Sequence, residues 1–330
     1  MTSHVKHIDH VISGRKAIHS DTFGSALQAI GNIPMIELSR INNTRAGIFA
    51  KLEFMNPSGS IKDRMVVHMV EKAEESGILT SRLRGRTTGC DSIVEATSGN
   101  TGIAFAMVCA AKGYKFTAVM PDCMSGERVK MMQALGAEVV LTPAKQDMAG
   151  AIRKAMRISM RTGAWHPNQF TNRNNTEVHK LTTGREIISQ MHGRIDAFVA
   201  GVGTGGTLMG IAEAFRDRGI KAKIIAVEPA ESAVLSGKKA GMHNIQGIGE
   251  GFIPSLVDRR MIDEIITVKS KDAEEMTDRI AKEEGMLCGI SSGANVLASL
   301  QVARKLGKGK KVVTVLPDRG ERYLSLGIFK

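Results

Sequence analysis

Lys62 stands in the stretch PSGSIKDR, directly after a Pro-Ser-Gly-Ser turn and ahead of Met65, Met69, Val70 and Ala73, which recur at helical spacing. A lysine there opens a helix. The positive end of the helix dipole and partial burial both disfavour its ammonium form, which leaves a free amine able to condense with a carbonyl. On its own a lysine is more simply a solvated side chain, so the neighbouring motifs have to decide.

Two further stretches do so. TSGNTG, Thr97 to Gly102, joins an apolar run ending at Ala96 to another beginning near Ile103. Its small residues let backbone N–H groups face an anion, and the hydroxyls of Thr97, Ser98 and Thr101 add donors suited to a substrate carboxylate. Helix capping needs only one of them. GTGGT places Gly203, Thr204, Gly205, Gly206 and Thr207 at a second strand-to-helix turn, a cradle for a single phosphate group. GISSG, Gly289 to Gly293, presents hydroxyls at a third such turn, where capping competes as an explanation. An imine-forming amine beside a carboxylate site and a phosphate site is what pyridoxal 5'-phosphate chemistry on an amino acid requires. The rival from another class is an NAD-dependent dehydrogenase, because GVGTGG, Gly201 to Gly206, matches GxGxxG and Glu228 lies 22 residues beyond Gly206. That reading leaves Lys62 and TSGNTG without a task.

The elements that must position these residues follow from apolar periodicity. Strands are predicted over residues 93–96, 116–120 and 138–141, with helices over 103–112 and 125–135 between and after the first two. The rhythm returns with strands over 197–202, 223–227, 264–268 and 311–316 and a helix over 208–216. Such βαβ alternation predicts an α/β fold with two parallel sheets, and the apolar segments 36–38 and 48–52 are further strands that the second sheet can recruit. Residues 165–175, WHPNQFTNRNN, read as the crossover between halves. The expected domains are a loose arm over 1–20, a smaller domain over 21–165 and a larger one over 166–330, with the site in the cleft between the two domains.

Composition narrows the function classes. Of 330 residues, 42% are hydrophobic and 24% charged, the profile of a globular chain that buries a sizeable core. Net charge is +12, yet the basic residues are dispersed and 4% of the chain is aromatic, which argues against nucleic-acid stacking. The densest basic group, Arg304, Lys305, Lys308, Lys310 and Lys311, reads as a solvated helix end and turn. Cys90, Cys109, Cys123 and Cys288 form no metal or disulfide pattern, and His4, His7 and His10 have no carboxylate or thiol cluster beside them, so no metal is expected. The longest apolar run, Ile103 to Ala111, falls short of the roughly 18 residues of a membrane span, and residues 1–20 lack a signal-peptide core. Met120, Met124, Met131 and Met132 read as core filling.

With these motifs in order, the chain resembles cysteine synthase, or O-acetylserine sulfhydrylase, of the tryptophan-synthase-β-like fold type II pyridoxal phosphate enzymes. The likeness covers about residues 25–330 and rests on PSGSIKDR, TSGNTG, MPDCMSGERVKMMQALGAEVVLTP, NQF, GVGTGGTLMG, GIGEGF, GISSGAN and PDRGERYLS. It implies two three-layer domains around a cofactor cleft. It implies that Lys62 forms the imine with pyridoxal 5'-phosphate and moves the Cα proton, that Asn100 bonds the phenolic oxygen, and that Gly203 to Thr207 hold the phosphate. Ser291 then meets the pyridine nitrogen, and a neutral hydroxyl there favours β-elimination over transamination. Thr97, Ser98, Thr101 and Gln169 bind the substrate carboxylate. The implied reaction turns O-acetyl-L-serine and sulfide into L-cysteine and acetate through an α-aminoacrylate, in a cytoplasmic homodimer that also accepts the C-terminal tail of serine acetyltransferase. O-phosphoserine sulfhydrylases and cystathionine β-synthases share this lysine chemistry and are the alternatives within the fold. The sequence departs from the family pattern at Ile33, at Arg319, in the length of residues 80–92, and at Glu250 in GIGEGF, where a small residue is usual and the leaving-group preference is affected.

Overall fold

The computed structural model describes residues 23–80, 89–97 and 99–330. The arm expected over residues 1–20 with its three spaced histidines, Ser98, and residues 81–88 of the long connection lie outside the described residues.

Strand β1 (Met35–Glu37) pairs antiparallel with β2 (Gly47–Lys51), and helix α1 (Lys62–Glu75) follows. Next come β3 (Ser92–Ala96), α2 (Asn100–Lys112), β4 (Lys115–Pro121), α3 (Gly126–Ala134) and β5 (Glu138–Thr142), which build a three-stranded parallel sheet in the order β3-β4-β5. Helices α4 (Asp147–Thr162), α5 (Asn174–Leu181) and α6 (Thr183–Gln190) carry the chain across to β6 (Ala197–Gly201), α7 (Gly206–Asp217), β7 (Lys223–Pro229) and β8 (Glu264–Val268). Helices α8 (Ser270–Glu284) and α9 (Ile290–Leu306) precede the last strand, β9 (Lys311–Val315). The second sheet has six strands in the order β1-β2-β9-β6-β7-β8, parallel except for β1. This is the α/β architecture with two sheets expected from the alternation, and the first two strands of the chain join the sheet completed by its last.

The strands are apolar because helices cover them. In β4 the run Ala118, Val119 and Met120 is fully buried, as a parallel strand packed on both faces requires. Met65 and Met69 of α1 join Ile103 and Phe105 of α2 in the core on one side, where Phe105 stacks on Phe116 with ring centroids 5.3 Å apart. Met120 and Met132 are fully buried in that core, and Met124 and Met131 pack at its margin. Helix α4 covers β3 and β4 with Met148, Ala151 and Ala155. Met148, Ala151, Ile152, Ala155 and Ile158 recur at helical spacing along it, so this helix was open to the same periodicity as its neighbours.

A buried charge network ties the start of α1 to the six-stranded sheet. The Arg64 guanidinium donates to both oxygens of Glu53 at 2.8 Å and to both oxygens of Glu186 at 2.7 and 2.8 Å. Lys51 at the end of β2 donates to Glu186 at 2.6 Å, to the Ile33 carbonyl at 2.5 Å and to Gln190 at 2.9 Å. Two cations and two carboxylates cancel. Burial alone would raise the Glu186 carboxyl, yet Arg64 and Lys51 overcome it and hold the group down at about 2. Removing one member of such a network strands its partners, so Arg64→Leu is expected to lower the unfolding free energy by about 3–5 kcal/mol, read from the midpoint of urea unfolding. An unchanged midpoint would remove the network from any account of stability.

Candidate active site

Helix α1 opens at Lys62 because the segment before it is fixed from both sides. The Ser58 N–H donates to Asp63 at 2.7 Å and the Ser58 hydroxyl donates to the same carboxyl group, closing the Pro-Ser-Gly-Ser turn over the first helical turn. Burial pushes the Asp63 carboxyl up to about 6 even though these bonds oppose it. Ile61 N–H donates to the Pro317 carbonyl at 2.8 Å, and Arg322 donates to the Ser58 carbonyl at 2.9 Å. PSGSIKDR and PDRGERYLS, far apart in sequence, are therefore one structural unit.

Burial lowers the Lys62 amine from its ordinary value, while the charges of Asp318 and Glu250 pull the other way. No carboxylate lies within ion-pairing distance of the amine among the described residues; Asp318 is engaged elsewhere. Its Oδ2 accepts from the Asn100 amide at 2.7 Å and from the Tyr323 hydroxyl at 2.5 Å. Arg322 donates to the other end of the Asn100 amide. Held at both ends, Asn100 keeps its NH₂ toward Asp318 and its oxygen toward Arg322.

The two anion loops occupy the carboxyl ends of β3 and β6. In the first, the Thr97 hydroxyl accepts from the Gly99 and Gly102 N–H groups at 3.0 Å each, so this side chain shapes the loop from within. Gly99 has φ +146°, and a side chain there would run into Arg128. The Thr101 hydroxyl donates to Gln169 at 2.7 Å, and the Gln169 NH₂ donates to the Ala96 carbonyl at 2.9 Å. Beneath them, buried Glu95 accepts from the Asn168 and Gln169 N–H groups at 2.8 and 3.2 Å.

The second loop ends in the first turn of α7, whose N–H groups have no intrahelical acceptor. Gly205 has φ +86°, and a side chain at Gly203 would meet the Gly247 carbonyl oxygen at 2.5 Å. Only glycines allow so close an approach. Asn175 donates to the Thr204 hydroxyl at 2.8 Å, and Gly206 packs against the same amide. His179 contacts the Thr207 hydroxyl at 3.3 Å and the Thr183 hydroxyl at 2.9 Å; burial, with the charges of Arg64 and Lys62, holds its imidazole neutral.

Lys62, Asn100, Gly203, Thr204, Gly205 and Thr207 line one cavity together with Ser291 from the first turn of α9. A recess sharing Lys62, Asn100 and Thr204 adds Thr101, Gln169, Arg128 and Glu250. Amine, phosphate cradle and hydroxyl are thus brought together, and the carboxylate-loop residues open from the same place. Thr97 and Gly206 are buried behind the lining, and Ser98 lies outside the described residues. This donor set fits pyridoxal 5'-phosphate: a side-chain-free cradle at a helix start, an amine without an ion-pair partner, and a neutral hydroxyl across the cavity. Glu228 does not serve a ribose. It accepts from the Leu235 and Ser236 N–H groups at 2.8 and 2.9 Å and from the Ser236 hydroxyl at 2.5 Å, which consumes the acidic residue on which the dehydrogenase reading rested.

Sequence reasoning missed Asn175, His179, Asp318, Arg322 and Glu95. Asn175 belongs to the polar run read as a crossover, and its density of asparagines was the available signal. Asp318 and Arg322 sit in PDRGERYLS, a stretch whose charge pattern does not disclose which side chains turn inward.

Comparison with known proteins agrees with this geometry. The family model for pyridoxal-phosphate dependent enzymes matches residues 26–318. A cysteine synthase of Staphylococcus aureus is 49% identical over 304 residues, covering 92% of this chain and 96% of the relative. Among solved structures, an O-ureido-L-serine synthase superposes with TM-score 0.88 at 39% identity, covering 93% and 95% of the two chains. A cysteine synthase (OASS) of Entamoeba histolytica superposes with TM-score 0.87 at 40% identity, covering 94% and 92%.

Glu95 gives the site a pH dependence. Burial pushes its carboxyl up to about 8 against the two N–H donors, with His166 at 3.8 Å as the nearest titratable neighbour. Because the folded value is raised, its contribution to stability is complete below the ordinary carboxylate range and is lost as pH rises through about 8. The Tm of the protein should therefore fall between about pH 4.5 and about pH 8, and Glu95→Gln should flatten that slope. Equal slopes in the two proteins would exclude Glu95 as the titrating group.

Proposed function

The chain belongs to the pyridoxal-phosphate dependent enzymes, and on that premise we infer that it makes L-cysteine from O-acetyl-L-serine and sulfide, releasing acetate. The observation that carries this reading is the convergence of a desolvated amine, a glycine cradle and a carboxylate loop on one cavity. Pyridoxal 5'-phosphate, when bound, supplies an electrophilic carbonyl and a ring that withdraws electrons from the substrate Cα.

The roles of the chain's residues follow from their surroundings. Lys62, whose amine burial shifts toward its neutral form, would be the residue that holds the cofactor and moves the proton at the substrate Cα. Gly203 to Thr207 take the phosphate at the start of α7, with Asn175 and His179 fixing the two threonine hydroxyls from behind. With the cofactor bound, the Asn100 NH₂, which donates one hydrogen to Asp318, would have its other hydrogen for the phenolic oxygen, and Ser291 would offer a neutral hydroxyl to the pyridine nitrogen. Thr101 and Gln169, with Ser98, would take the substrate carboxylate, while the Thr97 hydroxyl holds the loop in shape from within. Drawing that carboxylate onto the start of α2 would move the unit built on β3, β4 and β5 toward the six-stranded sheet, to which β1 and β2 belong, and exclude water.

The same reading includes a cytoplasmic homodimer. Four free cysteines support a reducing compartment, and no helix among the described residues is long and apolar enough to cross a membrane. A loop built for a substrate carboxylate also suits a peptide C-terminus, which supports the C-terminal tail of serine acetyltransferase as a partner.

The test is the visible absorption spectrum of the holoenzyme. O-acetyl-L-serine should change the cofactor band and sulfide should restore it while cysteine is released; a band indifferent to O-acetyl-L-serine sinks this choice of donor. Lys62→Ala should lose the imine band and at least ~10³-fold of turnover, yet still retain the cofactor on dialysis through the phosphate cradle. Normal turnover by that variant would remove Lys62 from the chemistry.

A further inference from the structure

The recess beside Lys62 contains a carboxylate that the reaction with sulfide does not need. Glu250 lines it with Lys62, Thr101, Gln169 and Arg128. Burial raises the Glu250 carboxyl, and the Lys62 amine opposes that shift, so the two side chains share one electrostatic environment. No hydrogen bond from another described residue holds the carboxylate. Arg128 does not neutralise it, being turned to Gln246 and stacked over the Tyr323 ring at 4.9 Å.

The loop that presents Glu250 is rigidly placed. Gly247, Gly249 and Gly251 have φ of +93°, +71° and +82°, conformations that carry the chain around the residue between them. The Gly249 N–H donates to the Val202 carbonyl at 3.0 Å, and His243 contacts the Gly249 carbonyl at 2.8 Å. The loop thus holds an unpaired carboxylate in the recess beside Lys62. Near neutral pH sulfide is present as both H₂S and HS⁻, and a carboxylate in the recess disfavours the anion. A neutral protic nucleophile meets no such repulsion and gains an acceptor for its proton.

We propose that Glu250 is the general base for a neutral X–H nucleophile, so that the enzyme transfers the three-carbon unit of its first substrate to thiols or water as well as to sulfide. This rests on the β-replacement reading above. As the X–Cβ bond forms, the X–H bond breaks and its proton passes to Glu250. Cα recovers a proton from the Lys62 ammonium, and Glu250 releases its own to solvent after the product leaves. With a thiol the sum is O-acetyl-L-serine plus RSH giving the S-substituted cysteine, acetate and one proton; with water it gives serine, acetate and one proton.

Holoenzyme, Glu250→Gln and Glu250→Asp are compared with O-acetyl-L-serine as donor and either sulfide or 2-mercaptoethanol as acceptor. The decay of the donor-induced band in the absence of any thiol is followed as a readout of attack by water. Glu250→Gln should lower the 2-mercaptoethanol-to-sulfide turnover ratio at least ~10-fold and slow the band decay by a similar factor, with Glu250→Asp recovering part of both. Equal ratios and equal decay in wild type and Glu250→Gln overturn the proposal while leaving cysteine formation intact. A loss confined to KM for thiols that carry an ammonium group also overturns it, making Glu250 a binding group for that cation. No spectral response to O-acetyl-L-serine in wild type overturns the donor assignment and this inference together.

Discussion

An amine must be kept in the interior of this molecule without a carboxylate close enough to fix it as an ammonium. Everything around Lys62 is arranged to that end. Burial disfavours its charge, and apart from Glu250 the charged groups nearby are committed to other partners. Arg64, two residues on, is neutralised by Glu53 and Glu186. Asp318, the carboxylate most able to capture Lys62, is drawn off by Asn100 and Tyr323. Arg322, which could otherwise compete for Asp318, is spent on Asn100 and the Ser58 carbonyl. The network around the amine is thus as much a device for occupying its neighbours as for holding them in place.

Topology explains why the loops meet. In parallel sheets the ligand-binding loops gather at the carboxyl ends of the strands, and both anion loops lie there, one after β3 and one after β6. Strand β9 pairs with both β2 and β6, so the segment after it, with Pro317 and Asp318, arrives between the turn before Lys62 and the phosphate cradle. The first and last parts of the chain therefore build one wall of the cavity. The crossover helix α5 passes behind the cradle, which is why Asn175 and His179 can fix the hydroxyls of Thr204 and Thr207.

The strands were legible because each is a short apolar run between turn residues, and the cavity's main lining was legible because glycine and hydroxyl residues cluster where backbone must approach a ligand. What escaped was carried by side chains whose meaning is tertiary. Asn175 and His179 sit in a polar stretch that reads as loop until the cradle is seen beside it. Thr97 looked like an outward donor, yet its hydroxyl closes its own loop. Glu228 had the spacing of a ribose acceptor but completes a turn after β7. In each case the residue type was visible and only the direction of the side chain was not.

The two halves of the chemistry are therefore supported by different parts of the fold. Amine, cradle and carboxylate loop rest on helix starts and buried pairs, where a substitution leaves a partner stranded and costs stability. The loop from Gly247 to Gly251 is anchored through its backbone, so the residue at 250 can change without loss of any hydrogen bond. A carboxylate there is costly to bury but not tied to the core, and its main electrostatic partner is the Lys62 amine. Charge at this one position alters which second substrate is welcome while the machinery that activates the first stays fixed. Divergence in nucleophile within such a scaffold is thus expected to concentrate on this loop rather than on the lysine, the cradle or the strands that carry them.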